Sequence, residues 1–235
     1  MGTIQVEALS EGKERLDPCA GDVGELQAFL HIQRYKQAIK EVKGLVLDVG
    51  CGFGYGSGML CRIHSSVVAF DIFDTALLYA KRNYPGPFYV RADAQTFPFK
   101  NKSFNGVVAL EIIEHVDNGI YLLREIYRVL KKRGVLILST PNVAHLINRL
   151  ECALFKKDSL VQKQKNPYHK HERTPKELRR LLESTGFTIE EKRGQILTFP
   201  LVHKLPPHLC VNTGRFLPDL SSYIIYKARK TQSGH

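Results

Sequence analysis

The segment Glu111-Ile112-Ile113-Glu114-His115 combines two carboxylates with an imidazole, at a spacing that would let the three side chains act at one site. If the segment forms a helical turn, positions i, i+3 and i+4 share one face, so Glu111, Glu114 and His115 converge on one point. An imidazole titrates near neutral pH and can act as a general base. The segment therefore predicts a catalytic or ligand-binding site, with His115 as a candidate base.

A second candidate site is the segment VLDVGCGFG, in which a short apolar run is followed by glycines at every second position. This pattern predicts a strand that enters a tight turn whose backbone lies against a ligand of nucleotide size. The glycines from 50 to 58 all fall on even positions, whereas the dinucleotide fingerprint GxGxxG needs a spacing of three. A nicotinamide or flavin cofactor is therefore disfavoured, and no GxxxxGK[ST] phosphate loop is present.

Acidic residues follow the next two predicted strands. The strand Ser66–Phe70 ends at Asp71. In nucleotide-binding α/β folds, an acidic residue after the second strand accepts hydrogen bonds from the ribose hydroxyls of the ligand. Asp74 is predicted to be the N-cap of the helix that follows. The strand Phe88–Arg91 leads to Asp93, which on its own pattern is equally a turn carboxylate.

Strands and helices alternate along the rest of the chain, and Thr174 and Glu177 form a predicted capping box before one of these helices. The further elements predicted are helix Gly24–Val42, strand Gly106–Leu110, helix Ile120–Leu130, strand Val135–Ser139, helix Pro175–Thr185, strand Phe187–Glu191 and a strand around Tyr223–Lys227. The alternation predicts an α/β fold, a Rossmann-like seven-stranded mostly parallel sheet with helices on both faces and a small cap.

The composition favours one soluble domain. The chain has 235 residues, of which 43% are hydrophobic, so one full core is expected. No apolar run approaches the ~20 residues of a membrane span, and a cytoplasmic location is expected. The five cysteines show no CxxC spacing, so neither a disulfide framework nor a zinc site is predicted. The net charge of +11 favours an anionic partner, such as a phosphorylated metabolite or nucleic acid.

These motifs resemble those of a known family. The stretch from Asp48 resembles motif I, (D/E)xGxGxG, of class I S-adenosylmethionine (SAM) methyltransferases, and EIIEHV with YLLREIYRVLKKRGVLILSTPN resembles their UbiE/UbiG-like (methyltransferase type 11) group. The resemblance runs from roughly Ile32 to Arg193. It implies SAM as the cofactor, with the binding residues Asp48, Gly50, Cys51, Gly52, Gly54, Asp71, Ile72, Asp93, Ala94 and Glu111. Asp93 and Ala94 would contact the adenine.

A further resemblance suggests a metal. Small-RNA 3′-terminal 2′-O-methyltransferases are similar in having an ExxEH segment and a downstream histidine that together hold a divalent ion. Carried over, Glu111, Glu114, His115 and His169 would form a metal site, whose mixed ligands suit Mn²⁺, Fe²⁺, Co²⁺ or Zn²⁺ better than Mg²⁺. The availability of Mg²⁺ keeps that ion in the set. The alternative is a site without a metal. In that case the two glutamates stabilise the turn, His115 lines the SAM pocket, and His115 or His169 is the general base.

The resemblance implies methyl transfer from SAM to a small-molecule acceptor, at a hydroxyl oxygen. The alternatives are a metal-dependent RNA 2′-O-methyltransferase and a SAM-binding protein without catalysis. The predicted organisation is a single domain with an N-terminal helical cap at 1–43, a SAM-binding core at 44–140, and acceptor-side insertions at 141–174 and 194–220.

Overall fold

The fold is seen in a computed structural model, which describes residues 25–64, 66–155, 171, 173–197 and 213–231, with the backbone alone described for 25, 151–155 and 213. Several predicted features lie outside these residues. They are the first 24 residues of the predicted cap, the segments 156–170 and 198–212 of the predicted insertions, and His169.

Helices and strands alternate along the described chain. The helices are α1 (Glu25–Glu41), α2 (Tyr55–Cys61), α3 (Asp74–Asn83), α4 (Gly119–Val129), α5 (Leu146–Phe155) and α6 (Pro175–Ser184). The strands are β1 (Val46–Val49), β2 (Val67–Asp71), β3 (Phe88–Arg91), β4 (Phe104–Leu110), β5 (Leu130–Pro141), β6 (Phe187–Gln195) and β7 (Tyr223–Lys230). Short 3₁₀ turns lie at Thr213–Arg215 and Pro218–Leu220.

The seven strands form one sheet in the order β3-β2-β1-β4-β5-β7-β6. Strands β1 to β5 pair in parallel, and β7 lies antiparallel between β5 and β6. The predicted seven-stranded, mostly parallel α/β fold is confirmed. Because β1, β2, β3, β4 and β5 run in one direction, their carboxyl ends meet at one edge of the sheet, where ligands of such folds bind.

Both faces of the sheet are covered, which explains why β1 and most of β4 are apolar. One core cluster contains the inner face of α4, with Leu122, Leu123 and Ile126 completely buried. On the opposite face, α1 packs Tyr35 and Ala38 against the sheet. The central strands are thereby fixed from both sides, and the residues at their carboxyl ends are held at defined positions.

The structure confirms some predicted helix ends and corrects others. The capping box of α6 is present, since the Glu177 carboxylate accepts from the Thr174 backbone N–H at 2.8 Å and the Thr174 hydroxyl accepts from the Glu177 N–H at 3.3 Å. The prediction that Asp74 caps α3 is wrong. Phe73 precedes that helix, whereas Asp74 lies in its first turn and pairs with Arg91 at 2.9 Å.

The described strands β4 to β7 are longer than predicted, and helices α2 and α5 were not predicted. The heptapeptide of α2 contains two glycines, which weaken any helical pattern. In the described part of the chain, no helix is both long and apolar enough to cross a membrane.

Candidate functional site

The turn after β1 is tied to the neighbouring strand β2. The backbone N–H groups of Gly50 and Cys51 both donate to the carbonyl of Phe70, at 3.0 and 2.9 Å. Gly54 closes the turn by donating to the Cys51 carbonyl and has φ +83, a left-handed conformation that favours glycine. The turn is therefore held rigidly at the carboxyl edge of the sheet, as the glycine spacing predicts.

Close packing explains why the glycines extend beyond this turn. A Cβ atom at Gly50 would lie 2.7 Å from the Ile112 side chain, and one at Gly54 would lie 2.5 Å from Ala80 Cβ. At Gly56, within α2, a Cβ atom would lie 2.0 Å from the ring of Tyr35. At these three positions the backbone therefore lies against its neighbours with no space for a side chain.

Asp48, at the end of β1, has no solvent exposure. Its carboxylate accepts a hydrogen bond from the Ser57 hydroxyl at 2.6 Å, and the Tyr35 hydroxyl lies 3.3 Å from both carboxylate oxygens. Burial raises the pKa of Asp48 from 3.8 to about 7, against the lowering effect of these two hydrogen bonds. A buried carboxylate at this position can interact strongly with a cationic ligand group.

Asp71, at the end of β2, holds the glycine turn from the other side. Its carboxylate accepts from the backbone N–H of Gly52 at 2.9 Å and from that of Phe73 at 3.1 Å. Asp71 is 6% exposed, while the next residue, Ile72, is 48% exposed. The two bonds orient the carboxylate towards the turn, and Ile72 offers an apolar surface beside it.

Asp93 follows β3 and is exposed. Its carboxylate accepts from the Gln95 backbone N–H at 2.7 Å, and Asp93 pairs with Thr96 in an isolated bridge. These are the contacts of a turn carboxylate, the alternative that the sequence leaves open. Ala94 is partly buried against the main core.

The three aspartates lie at the ends of neighbouring parallel strands. Asp48 is paired in register with Ala69, two residues before Asp71, and Asp71 is paired with Arg91, two residues before Asp93. The negative charge of Asp71 also contributes to the raised pKa of Asp48. A buried carboxylate, a glycine-rich turn and a second carboxylate bonded to that turn therefore lie together at this edge, and this group of residues could hold a nucleotide-sized ligand.

On the other side of this edge, the residues after β4 do not form the predicted helical turn. Glu111 has φ +54, and residues 111–117 form a series of bends and turns. The left-handed backbone is uncommon for a glutamate and costs roughly 1–3 kcal/mol, which is typical of functional sites. Glu111 and Glu114 are nevertheless close enough that the charge of Glu111 raises the pKa of Glu114.

Each of these glutamates accepts a hydrogen bond from a hydroxyl of β5. Ser139 donates to Glu111 at 2.8 Å, and Thr140 donates to Glu114 at 3.1 Å. Glu114 is completely buried, and its Oε1 has no hydrogen-bond partner among the described residues. Burial is the main cause that raises the pKa of Glu114 well above its ordinary value.

Arg34 of α1 reaches this carboxylate pair, although the sequence did not single it out. It is 1% exposed, donates to Gln195 Oε1 at 2.6 Å, and has Nη2 at 3.9 Å from Glu111 Oε2. Its guanidinium carbon lies 4.5 Å from the centre of the Tyr223 ring. Arg34 therefore connects the N-terminal helix to the ends of β4, β6 and β7.

The described residues do not fit the predicted metal site. No group of three His, Cys, Asp or Glu side chains within them is placed to hold a metal ion. Glu111 Oε1 accepts from Ser139, and Arg34 Nη2 lies 3.9 Å from Glu111 Oε2, so the positive charge of Arg34 opposes a second cation here. His115 is partly buried in the same turn, and His169 lies outside the described residues.

Four contributing residues were missed from the sequence, namely Arg34, Tyr35, Ser57 and Gln195. A signal existed for the first two, because His31, Arg34 and Tyr35 stand at i, i+3 and i+4 and share one face of α1. No local signal marks Gln195, since its partner Arg34 lies 161 residues away.

Comparisons with known proteins agree with this geometry. The methyltransferase domain family matches residues 47–138. The chain is 30% identical over 149 residues to a probable S-adenosylmethionine-dependent methyltransferase of Mycolicibacterium smegmatis, covering 63% of this chain and 54% of that protein. It is also 30% identical over 173 residues to a ubiquinone biosynthesis O-methyltransferase of Rickettsia bellii, covering 70% of each.

A crystal structure of an S-adenosylmethionine dependent methyltransferase from Mesorhizobium loti has a TM-score of 0.64 and 20% identity, covering 87% of this chain and 100% of that chain. That likeness shows the fold. The chain spans about half the length of the mycobacterial relative. The match to the Rickettsia protein extends over more than two thirds of both proteins. The glycine turn and the three aspartates lie within residues 47–138, which the methyltransferase domain family matches. This chain therefore belongs to the family of class I S-adenosylmethionine-dependent methyltransferases.

Proposed function

We propose that this protein transfers a methyl group from SAM to a hydroxyl oxygen of a small-molecule acceptor. The observation that carries the proposal is the glycine turn, held between the buried Asp48 and the Asp71 carboxylate that accepts from Gly52. The name of the Rickettsia relative, an O-methyltransferase, supports oxygen as the methylated atom.

The cofactor binds at the edge formed by β1, β2 and β3. Asp48 accepts from the ammonium group of the methionine moiety, Asp71 from the ribose hydroxyls, and Asp93 from the adenine amino group. Further contacts come from the turn, from the residues that follow Asp71 and Asp93, and from the residue that follows β4. They are Gly50, Cys51, Gly52, Gly54, Ile72, Ala94 and Glu111. When bound, SAM supplies an electrophilic methyl group on its sulfonium.

The protein's own contribution is alignment, exclusion of water and removal of a proton. A methyl transfer of this type proceeds by in-line displacement, so the acceptor oxygen must face the methyl group. A hydroxyl is a weak nucleophile at neutral pH, and His115 is proposed as its general base, with His169 as the alternative. The net charge of +11 favours an anionic acceptor.

The experiment that tests this proposal adds radiolabelled SAM and the protein to fractionated cell extract, with and without RNase and with and without a chelator. We expect label in small-molecule fractions that resist RNase. We also expect a chelator to leave the yield of labelled product unchanged, because the positive charge of Arg34 beside Glu111 opposes the binding of a metal ion. An Asp71→Ala variant is the matched control and should give no label.

Two results would replace the proposal. Label that is lost on RNase treatment would favour the RNA methyltransferase, which the net positive charge also suits. SAM binding without transfer to any fraction would favour the non-catalytic SAM-binding protein.

A further inference from the structure

The buried Asp48 carboxylate is held by two uncharged donors from two different helices. Ser57 of α2 donates to Oδ2 at 2.6 Å, and the Tyr35 hydroxyl of α1 lies 3.3 Å from each oxygen. A buried carboxylate with neutral donors keeps its charge less readily than one paired with a cation. Its ionisation therefore depends on these two hydroxyls.

The Tyr35 ring cannot move away from this position easily. It covers Gly56, where an added Cβ atom would lie 2.0 Å from the ring, and it packs edge-on against Tyr55 with ring centres 5.5 Å apart. The Tyr55 hydroxyl is in turn in contact with His31 Nδ1. Tyr35 is 3% exposed, so its hydroxyl is presented to Asp48 in a fixed orientation.

Tyr35 and His31, which both lie on α1, are uncharged near neutral pH. Burial raises the pKa of Tyr35 well above its ordinary value, so this hydroxyl keeps its proton and remains a donor. Burial and the charge of Arg34 hold the pKa of His31 well below its ordinary value, so His31 adds no positive charge near pH 7. The groups that face or interact with Asp48 are Tyr35 from α1, Ser57 from α2, Cys51 from the turn, Asp71 from β2 and Tyr89 from β3.

We propose that Tyr35 is a positioning residue for cofactor binding. Its hydroxyl, together with that of Ser57, favours the ionised form of Asp48, which the ammonium group of the methionine moiety requires. In the free protein a large fraction of Asp48 is protonated near neutral pH, because burial raises its pKa to about 7. Binding then releases this proton to solvent, and the cofactor binds more tightly as pH rises towards 8.

This inference rests on the proposed function, since it assumes that the pocket takes SAM. The probe is S-adenosylhomocysteine, titrated calorimetrically into the full chain between pH 5.5 and 8, in two buffers of different ionisation enthalpy. For the unchanged protein we expect the affinity to rise by up to about tenfold per pH unit below the midpoint and then level off. The buffer dependence should show about half a proton released per ligand near pH 7.

The decisive variant is Tyr35→Phe, which keeps the ring over Gly56 and removes the hydroxyl. Loss of a donor to the carboxylate disfavours its charge, so the midpoint should move upward by roughly one pH unit. Tyr226→Phe is the matched control, because it removes a buried hydroxyl that donates to the Pro175 carbonyl, away from the pocket. Its midpoint should equal that of the unchanged protein.

The outcomes separate the inference from the proposed function. An unchanged midpoint in Tyr35→Phe, with normal binding, overturns the inference and leaves the function intact. Absence of binding in the unchanged protein at every pH overturns the function. If Tyr35→Phe fails to fold, as judged by circular dichroism, Ser57→Ala decides the matter, since an unchanged midpoint there also overturns the inference.

Discussion

The two halves of the candidate site are built in different ways. The cofactor half is held by hydrogen bonds between segments that follow each other closely in the chain, such as the bond from the Gly52 backbone N–H to the Asp71 carboxylate. The acceptor half consists of side chains from distant parts of the chain, where Arg34 meets Gln195 and Glu111. The cofactor half therefore depends on backbone shape, and the acceptor half depends on the balance of buried charges.

The largest expected effect tests the charge balance of the acceptor half. Arg34→Ala leaves Glu111, Glu114 and Gln195 without their buried partner, which should lower the free energy of unfolding by about 3 kcal/mol or more. Arg34 lowers the pKa of Glu114, which is already raised above its unfolded value. Ionisation of Glu114 therefore destabilises the fold as pH rises, and the variant should lose more stability at pH 8 than at pH 5.

Urea unfolding at the two pH values measures this effect. The control is Arg179→Ala, which removes an exposed arginine paired with Glu183 and should leave the free energy of unfolding nearly unchanged. Equal losses in the two variants would show that Arg34 is not the compensating charge.

The next effect tests the backbone shape of the cofactor half. Gly54→Ala forces a left-handed alanine and places its Cβ atom 2.5 Å from Ala80 Cβ and 2.8 Å from the Tyr89 hydroxyl. We expect a loss of about 2–4 kcal/mol in the free energy of unfolding and a loss of S-adenosylhomocysteine binding of a hundredfold or more.

Gly58→Ala is the control for Gly54→Ala, because it lies inside α2 and its Cβ atom would lie 3.2 Å from the Tyr84 side chain. Thermal unfolding and calorimetry should show changes within about 1 kcal/mol for this variant. A comparable loss of binding in both variants would mean that the turn does not determine cofactor affinity.

A smaller effect separates stability from binding within the cofactor half. The folded-state pKa of Asp48 lies above its unfolded value, so the native state holds an extra proton between about pH 4 and 7 and loses stability as pH rises through that window. Asp48→Asn cannot ionise, so it should be more stable than the unchanged protein at pH 8.

Denaturant unfolding between pH 5 and 8 checks this prediction, together with binding. Asp48→Asn should bind S-adenosylhomocysteine much more weakly while unfolding at higher denaturant concentration. If the variant is instead less stable at pH 8, the Asp48 carboxylate is stabilised by its surroundings and the electrostatic account of the pocket is wrong.

The smallest effect concerns the exposed end of the cofactor half. Asp93→Asn keeps an acceptor for the Gln95 N–H but loses the charge, so the free energy of unfolding should change by less than about 0.5 kcal/mol. If Asp93 contacts the adenine amino group, affinity should fall by about three- to tenfold, or roughly 1 kcal/mol. An unchanged dissociation constant would leave Asp93 as a turn carboxylate.

The contrast between the halves also explains what the sequence could predict. The glycine turn, Asp48 and Asp71 were found because they are local and depend on glycine spacing and strand ends. The convergence of Glu111 and Glu114 was expected from a helical turn, and they come close through the left-handed backbone at Glu111 and the hydroxyls of β5 instead. Arg34 and Gln195 come into contact only after the sheet has formed, so no local sequence pattern predicts their contact.

The central claim is that the ends of β1, β2 and β3 bind the adenosyl cofactor. Calorimetric titration of S-adenosylhomocysteine into the unchanged protein and into Asp71→Ala tests it most directly. The account predicts saturable binding of one equivalent by the unchanged protein and no measurable heat for the variant. Absence of heat from the folded unchanged protein, or equal binding by both proteins, would contradict it.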